Sequence, residues 1–319
     1  MIRRLGSARP GRRRAGLVAA AVAVLAATGC ASGIVHPFSN APAPSATGGS
    51  AGSSAASGAA QPRQNPSEPS GEAMPVGDLP GWHQIFADDF TADVPVGGFS
   101  GCDASSRTCS GLPSAVRSKW WAYPDGWLDT AKQGMYMPSK TISIADGMMR
   151  LNLHTENGVH LVAAPLPILP GAIGSEGGQV YGRYEVRFLV ERPIPGFKIA
   201  WLLWPDSENF PGDGEIDFPE GDLNDVIDGF VHHMNGIGGA DQDAYGTAVR
   251  MSSGWHTAVI DWTARSCAFI LDGMTIGTTT NRIPSTPMHW VLQSETNGVT
   301  DNAASPDILI DWVAVYRPS

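Results

Sequence analysis

The residues best suited to chemistry lie in Gly212-Asp213-Gly214-Glu215-Ile216-Asp217-Phe218-Pro219-Glu220-Gly221-Asp222. On an extended strand side chains alternate faces, so Glu215 and Asp217 share one face while Ile216 and Phe218 share the other. Simple alternation would send Glu220 inward with Phe218, where a lone carboxylate is costly. One extra residue repairs this. A β-bulge at Phe218-Pro219 returns Glu220 to the face of Glu215, and a proline, having no N–H to give, is tolerated there. Three aligned carboxylates suit cleavage of a glycosidic bond with retention, which needs a nucleophile and an acid/base with carboxyl groups about 5–5.5 Å apart. With the bulge discounted, the two glutamates stand about four strand steps apart, roughly 13 Å between Cα atoms. A curved sheet and two long side chains leaning together must close that gap. Crowded like charges resist full ionisation, so one group keeps its proton near neutral pH. The expected roles are Glu215 as nucleophile, Glu220 as general acid and Asp217 between them.

The elements that must position these groups read as strands. In Arg183 to Val190, Tyr184, Val186, Phe188 and Val190 alternate with charged or exposed residues, the period of a half-buried strand. Arg150 to His154 and Asp311 to Arg317 repeat the pattern. Lys198 to Trp204, His256 to Trp262, Ala268 to Leu271 and His289 to Glu295 are further strands, separated by turn chemistry such as Asp272-Gly273 and Asn297-Gly298. No long stretch carries a helical period. The fold class is all-β, a two-sheet antiparallel sandwich.

Glu215 to Glu220 resembles the E-x-D-x-x-E signature of family-16 glycoside hydrolases in its bulged, laminarinase-like form. Phe86 to Phe90, Tyr181 to Arg187, Gly254 to Gly273 and Asp311 to Tyr316 resemble the family's flanking strands in the right order. The resemblance implies a concanavalin A-like β-jelly-roll with a concave substrate cleft, and an endo-acting retaining hydrolase. The implied substrate is a β-linked polysaccharide, β-1,3- or mixed β-1,3/1,4-glucan first and β-galactan next. It matches Glu215 to the nucleophile, Asp217 to the carboxylate that tunes it and Glu220 to the acid/base. His232, with His233 as rival, matches a histidine near the acid/base. Asp311 matches a residue of a structural calcium site in some members; no other cofactor is implied. One departure stands out. Phe197-Lys198-Ile199-Ala200 occupies the place of the usual Trp-Pro-Ala, which leaves the polysaccharide open. A transglycosylase of the same fold and a lectin-like protein without turnover are the alternatives.

Ten tryptophans exceed what one core needs. Sugar rings stack on aromatic faces, so Trp201, Trp204 and Trp127 are candidates for sugar subsites, with core packing as the competing role. Trp262 and Trp312, on strongly alternating strands, are expected in the core. Gln293 and Glu295 alternate on a late strand and could reach sugar hydroxyls across the cleft, or form a plain solvent-facing edge.

Residues 1–30 read as an export signal: six arginines, an apolar stretch from Ala15 to Thr28, and Ala27-Thr28-Gly29-Cys30. That stretch is shorter than the ~20 residues of a membrane span. Its end resembles a bacterial lipobox, which makes Cys30 a candidate lipid anchor and the location extracytoplasmic, secreted or tethered to the outer face of the cell membrane. Residues 31–80, rich in Ala, Ser, Gly and Pro, read as a disordered linker, and 81–319 as the catalytic domain. Removing residues 1–29, with six Arg and no Lys, Asp or Glu, takes the net charge from −10 to −16. Such a surface repels phosphate backbones, so nucleic acid is excluded as a partner; a monomer is expected. In an exported chain Cys102 and Cys109, flanking a short loop, favour a disulfide, and Cys267 reads as a buried small hydrophobe.

Overall fold

The computed structural model describes residues 68–319. The expected export signal, Cys30 and most of the expected linker lie outside these residues. The strands of the two large sheets begin with β1 (Trp82–Asp88), β2 (Ile142–Ala145), β3 (Met148–Asn152) and β4 (Gly182–Glu191). They continue with β5 (Phe197–Pro205), β6 (Glu215–Asp222), β7 (Val226–His232) and β8 (Gln242–Arg250). β9 (Trp255–Trp262), β10 (Cys267–Leu271), β11 (Met274–Thr279), β12 (Met288–Thr296) and β13 (Asp307–Pro318) complete them.

One sheet has eight strands in the order β11-β10-β9-β4-β13-β3-β2, with β1 also pairing β13. The other has five, β8-β7-β6-β5-β12. All pairings within both are antiparallel. The architecture is the expected jelly-roll sandwich, and helix is limited, among the described residues, to two single turns, Ser114–Arg117 and Pro138–Thr141. No described helix is long and apolar enough to cross a membrane.

Alternation decides what enters the core. Tyr184, Val186, Phe188 and Val190 of β4 are all buried, and so are Phe197, Ile199, Trp201 and Leu203 of β5. Aromatic pairs join the sheets: Phe188 with Trp201 at 5.0 Å, Tyr184 with Trp290 at 5.3 Å, and Phe218 stacked on Phe269 at 4.8 Å. Rings of this size dominate core energetics, each adding an oriented contact to the area it buries. Trp262 is core as expected, its Nε1 donating to the Pro284 carbonyl.

Trp312 is buried differently. Arg187 pairs with Trp312 and Phe188 with Ile310, so Asp311 is the extra residue of a bulge in β13. Trp312 therefore shares the outer face of the eight-stranded sheet with Arg187, and residues 70–75 cover it. Its Nε1 donates to the Glu72 carbonyl, and Arg187 bonds Ser70 Oγ and Glu72. Residues 68–80, which composition assigns to the linker, thus pack on the domain through polar bonds that carry no hydrophobic period.

Cys102 and Cys109 are disulfide-bonded across a two-residue hairpin pair. Cys267 is a free, buried thiol, and burial pushes its pKa up, away from reactive thiolate.

Candidate active site

The bulge in β6 is present. Asp217 pairs with Phe230 and Glu220 with Asp228 on β7, three steps against two; β5 repeats the slip, with Leu202 opposite Asp217 and Ala200 opposite Glu220. The Phe218-Pro219 peptide bond inside it is cis. Phe218 goes into the core, and Glu220 returns to the outer face with Glu215 and Asp217. Opposite the bulge stands Gly229, where a Cβ would come within 2.7–2.9 Å of the stacked Phe269 and Phe218 rings. Only the smallest residue lets that stack form beneath the carboxylates.

The three carboxylates are crowded and poorly compensated. Burial first, then the charge of Asp217, raises Glu215 well above the ordinary carboxylate range. The same two causes push Glu220 up to about 8, against the opposing pull of Lys198. Such a group titrates as a unit that keeps a proton through neutral pH. One oxygen of Asp217, Oδ2, makes no well-formed hydrogen bond among the described residues; its nearest cation is the His232 imidazole, at 3.4 Å.

Between the two histidines the structure chooses. His232 pairs with Glu215 across the ladder, and its Nε2 lies 3.4 Å from Asp217 and 3.8 Å from Glu215. Burial opposes charge on this imidazole, but Asp217 outweighs it and the pKa rises. His232 therefore serves the Glu215 end, and the expectation that it neighbours the acid/base is corrected: Glu220 faces Asp228. His233 points away, held between Asp241 at 3.0 Å and Asp243 at 3.1 Å.

Of the aromatic candidates, Trp204 and Trp127 remain accessible. Ala200, Leu202 and Trp204 share the carboxylate face, and Trp204 stacks on Phe210 at 5.4 Å with Nε1 donating to Glu208. Trp127 is 44% exposed and lies 5.6 Å from Tyr123. Trp201 is not a sugar platform. It stands an odd number of steps from Trp204, so the pleat turns it into the core, fully buried against Phe188.

Gln293 and Glu295 are on the carboxylate face, opposite Ala200 and Lys198, but they form no solvent-facing edge, and both oxygens of Glu295 are taken, by the Thr130 N–H and the Lys198 ammonium. Both are buried beneath the segment 127–136: Tyr136 Oη donates to Gln293 at 3.0 Å, and the Thr130 N–H donates to Glu295 at 3.1 Å. Asp311 does not fit a calcium site among the described residues. Its Oδ2 accepts the Ser70 N–H and it faces Arg187, whereas calcium takes six to eight oxygens.

Sequence reasoning missed Lys198, Asp228 and Phe210. Lys198 shares the parity of Ala200, Leu202 and Trp204, a signal that was available. Phe210 arrives from a loop and had none.

A family model, Glycosyl hydrolases family 16, matches residues 135–314, more than half of the chain. The chain belongs to this family. It is accordingly a glycoside hydrolase, and β6 with its carboxylates falls within the matched region. Similar solved structures include SCLam, a non-specific endo-β-1,3(4)-glucanase, at 18% identity and a TM-score of 0.59, covering 77% of this chain and 94% of that one. The laminarinase from Rhodothermus marinus aligns at 19% identity and 0.58, covering 75% and 98%. A structure described with endo-acting O-glycanases of human gut bacteria that initiate mucin breakdown aligns at 20% and 0.56, covering 77% and 94%. At these identities the likeness concerns the fold. No curated protein sequence matches the chain significantly.

Proposed function

We propose that this family-16 hydrolase is an endo-acting, retaining enzyme that cuts β-1,3- or mixed β-1,3/1,4-glucan, with β-galactan as the next substrate class. Glu215 attacks the anomeric carbon as Glu220 gives its proton to the departing glycosidic oxygen, leaving a glycosyl ester on Glu215. Glu220, now a carboxylate, takes a proton from water as that water attacks the same carbon and Glu215 departs. Asp217 and His232 tune and orient Glu215. Trp204, stacked on Phe210, and Trp127 offer ring faces to sugars. The carboxyl groups supply the whole reaction, so no cofactor enters it, and the enzyme acts as a monomer.

The observation that carries this reading is the bulge at Phe218-Pro219, which returns Glu220 to the face of Glu215. Residues 1–30 are read as the export signal, with Cys30 as acylation point and outer-face tethering as the consequence.

Product analysis tests the proposal. The full chain is incubated with β-1,3-glucan, mixed-linkage glucan, β-galactan and mucin O-glycans, the last because of the structural neighbour above. Short oligosaccharides released from the polymer interior, with the β-anomer first in proton NMR, are the expected result. An α-anomer appearing first would overturn retention, and single sugars released from chain ends would overturn endo action.

A further inference from the structure

Beside Glu220 the carboxylate face holds an ion pair outside the triad. Lys198 follows Ala200 by alternation, and Ala200 is the partner of Glu220 on β5. Its Nζ lies 2.7 Å from Glu295 Oε2 on β12. Glu295 is clamped from the other side, its Oε1 accepting the Thr130 N–H, and it is buried while the Lys198 side chain stays one-third exposed. A buried carboxylate with both oxygens occupied is a rigid brace. The ammonium it holds is thereby fixed at the floor of the face, next in row to Glu220.

The other charges around Glu220 are acidic. Its own strand carries Asp217, Glu215 and Asp222, β7 places Asp228 opposite, and β12 adds Glu295. His232, the other cation on this face, sits at the Glu215 end. Lys198 is thus the permanent positive charge at the Glu220 end among the described residues, and it occupies the segment where the sequence departs from the family's Trp-Pro-Ala.

We propose that Lys198, braced by Glu295, is a positioning residue that sets the pH at which Glu220 holds its proton. This rests on Glu220 being the acid/base. The effects on Glu220 have opposite signs: the ammonium favours the carboxylate, whereas Glu295 favours the protonated acid. Burial works against charge on Lys198 itself, and Glu295 outweighs it, so the ammonium keeps its charge.

The test is a three-variant series on the full chain, read as the alkaline limb of kcat/KM, which reports the acid in the free enzyme. Lys198→Met is expected to move that limb to higher pH, and Glu295→Gln to lower pH, each by about 1 unit, the size of shift a single nearby charge produces. The double variant exchanges a neutral pair for a neutral pair and is expected to return the limb to within a few tenths of wild type. A role confined to packing would lower activity in all three without the opposed shifts, and that result would overturn the inference. Carbon NMR titration of the Glu220 carboxyl gives the same readout without turnover, and Lys198→Arg, which keeps the charge, covers a Met variant that fails to fold. Glu220→Gln separates the two levels. If it retains wild-type activity, the acid/base assignment fails; if it is inactive while the limbs stay put, only the Lys198 inference fails.

Discussion

Both sheets carry charged side chains on their outer faces, and they treat them in opposite ways. On the eight-stranded sheet acids meet bases. Arg183 holds Glu185 and both oxygens of Asp261, Arg187 holds Glu72, and Asp307 takes Arg150 and Arg192. On the five-stranded sheet Glu215, Asp217, Glu220, Asp228 and Glu295 crowd around one lysine and one histidine. The first arrangement spends its charges on holding strands together. The second leaves Glu215 and Glu220 among more acids than bases, which raises the proton affinity of those two and is how a fold prepares an acid for work near neutral pH. A cavity of about 610 Å³ lies over the satisfied face, lined by Arg183, Glu185, Arg187 and Trp255. That hollow holds paired charges, whereas the carboxylates with raised proton affinity lie on the other sheet.

Glu215→Ala breaks the comparison most sharply. Losing the proposed nucleophile is expected to cut kcat by about 10³-fold or more. Folding should survive, because the change removes one of several repelling charges; chemical denaturation checks this. An activity within tenfold of wild type would show that the crowding serves something other than catalysis.

Arg183→Met is the mirror experiment. It strands the buried Glu185 and removes the partner of Asp261, and is expected to lower stability by about 3 kcal/mol. At a temperature where the variant stays folded, kcat/KM should remain within about twofold of wild type, since nothing on this face touches the carboxylates. A large loss of kcat with intact stability would mean the two faces are coupled.

The tryptophans of β5 sharpen the contrast within one strand. Trp201→Ala opens a cavity against Phe188 and is expected to cost about 3–5 kcal/mol. Trp204→Ala is expected to change stability by less than about 1 kcal/mol, and to raise KM several-fold if a sugar ring stacks there. Thermal melts and steady-state kinetics on the pair decide it.

These contrasts also mark how far the sequence could be read. Strand alternation displays the core of β4, and the cost of burying Glu220 reveals the bulge from sequence, because both are local. The parity separating Trp201 from Trp204 was equally local but went unused. What stayed hidden depends on distant partners. Gln293 and Glu295 look like an exposed edge until Tyr136 and Thr130, 157 and 165 residues away, cover them. His232 and His233 are indistinguishable until the ladder sets one of them opposite Glu215. Residues 68–80 have a linker's composition because backbone and side-chain polar groups dock them, and such bonds leave no period behind.

A further expected effect concerns stability against pH, and its sign distinguishes the two faces. Glu220 holds its proton more tightly folded than unfolded, with a folded pKa of about 8 against an ordinary 4.5. Across that window the folded state binds more protons, so this group's contribution is fully present below about 4.5 and is lost as pH rises towards 8. Glu220→Gln removes the titration. The variant should match wild type near pH 4 and become the more stable protein by pH 8, by about 1–2 kcal/mol once solvent screening is allowed for. Denaturant midpoints at several pH values measure the difference. Arg183→Met has no such crossing to offer: its deficit comes from lost pairing, and between pH 6 and 8 it stays on the destabilised side. A Glu220→Gln curve parallel to wild type across the window would place that carboxyl among satisfied charges and remove the physical distinction between the two sheets.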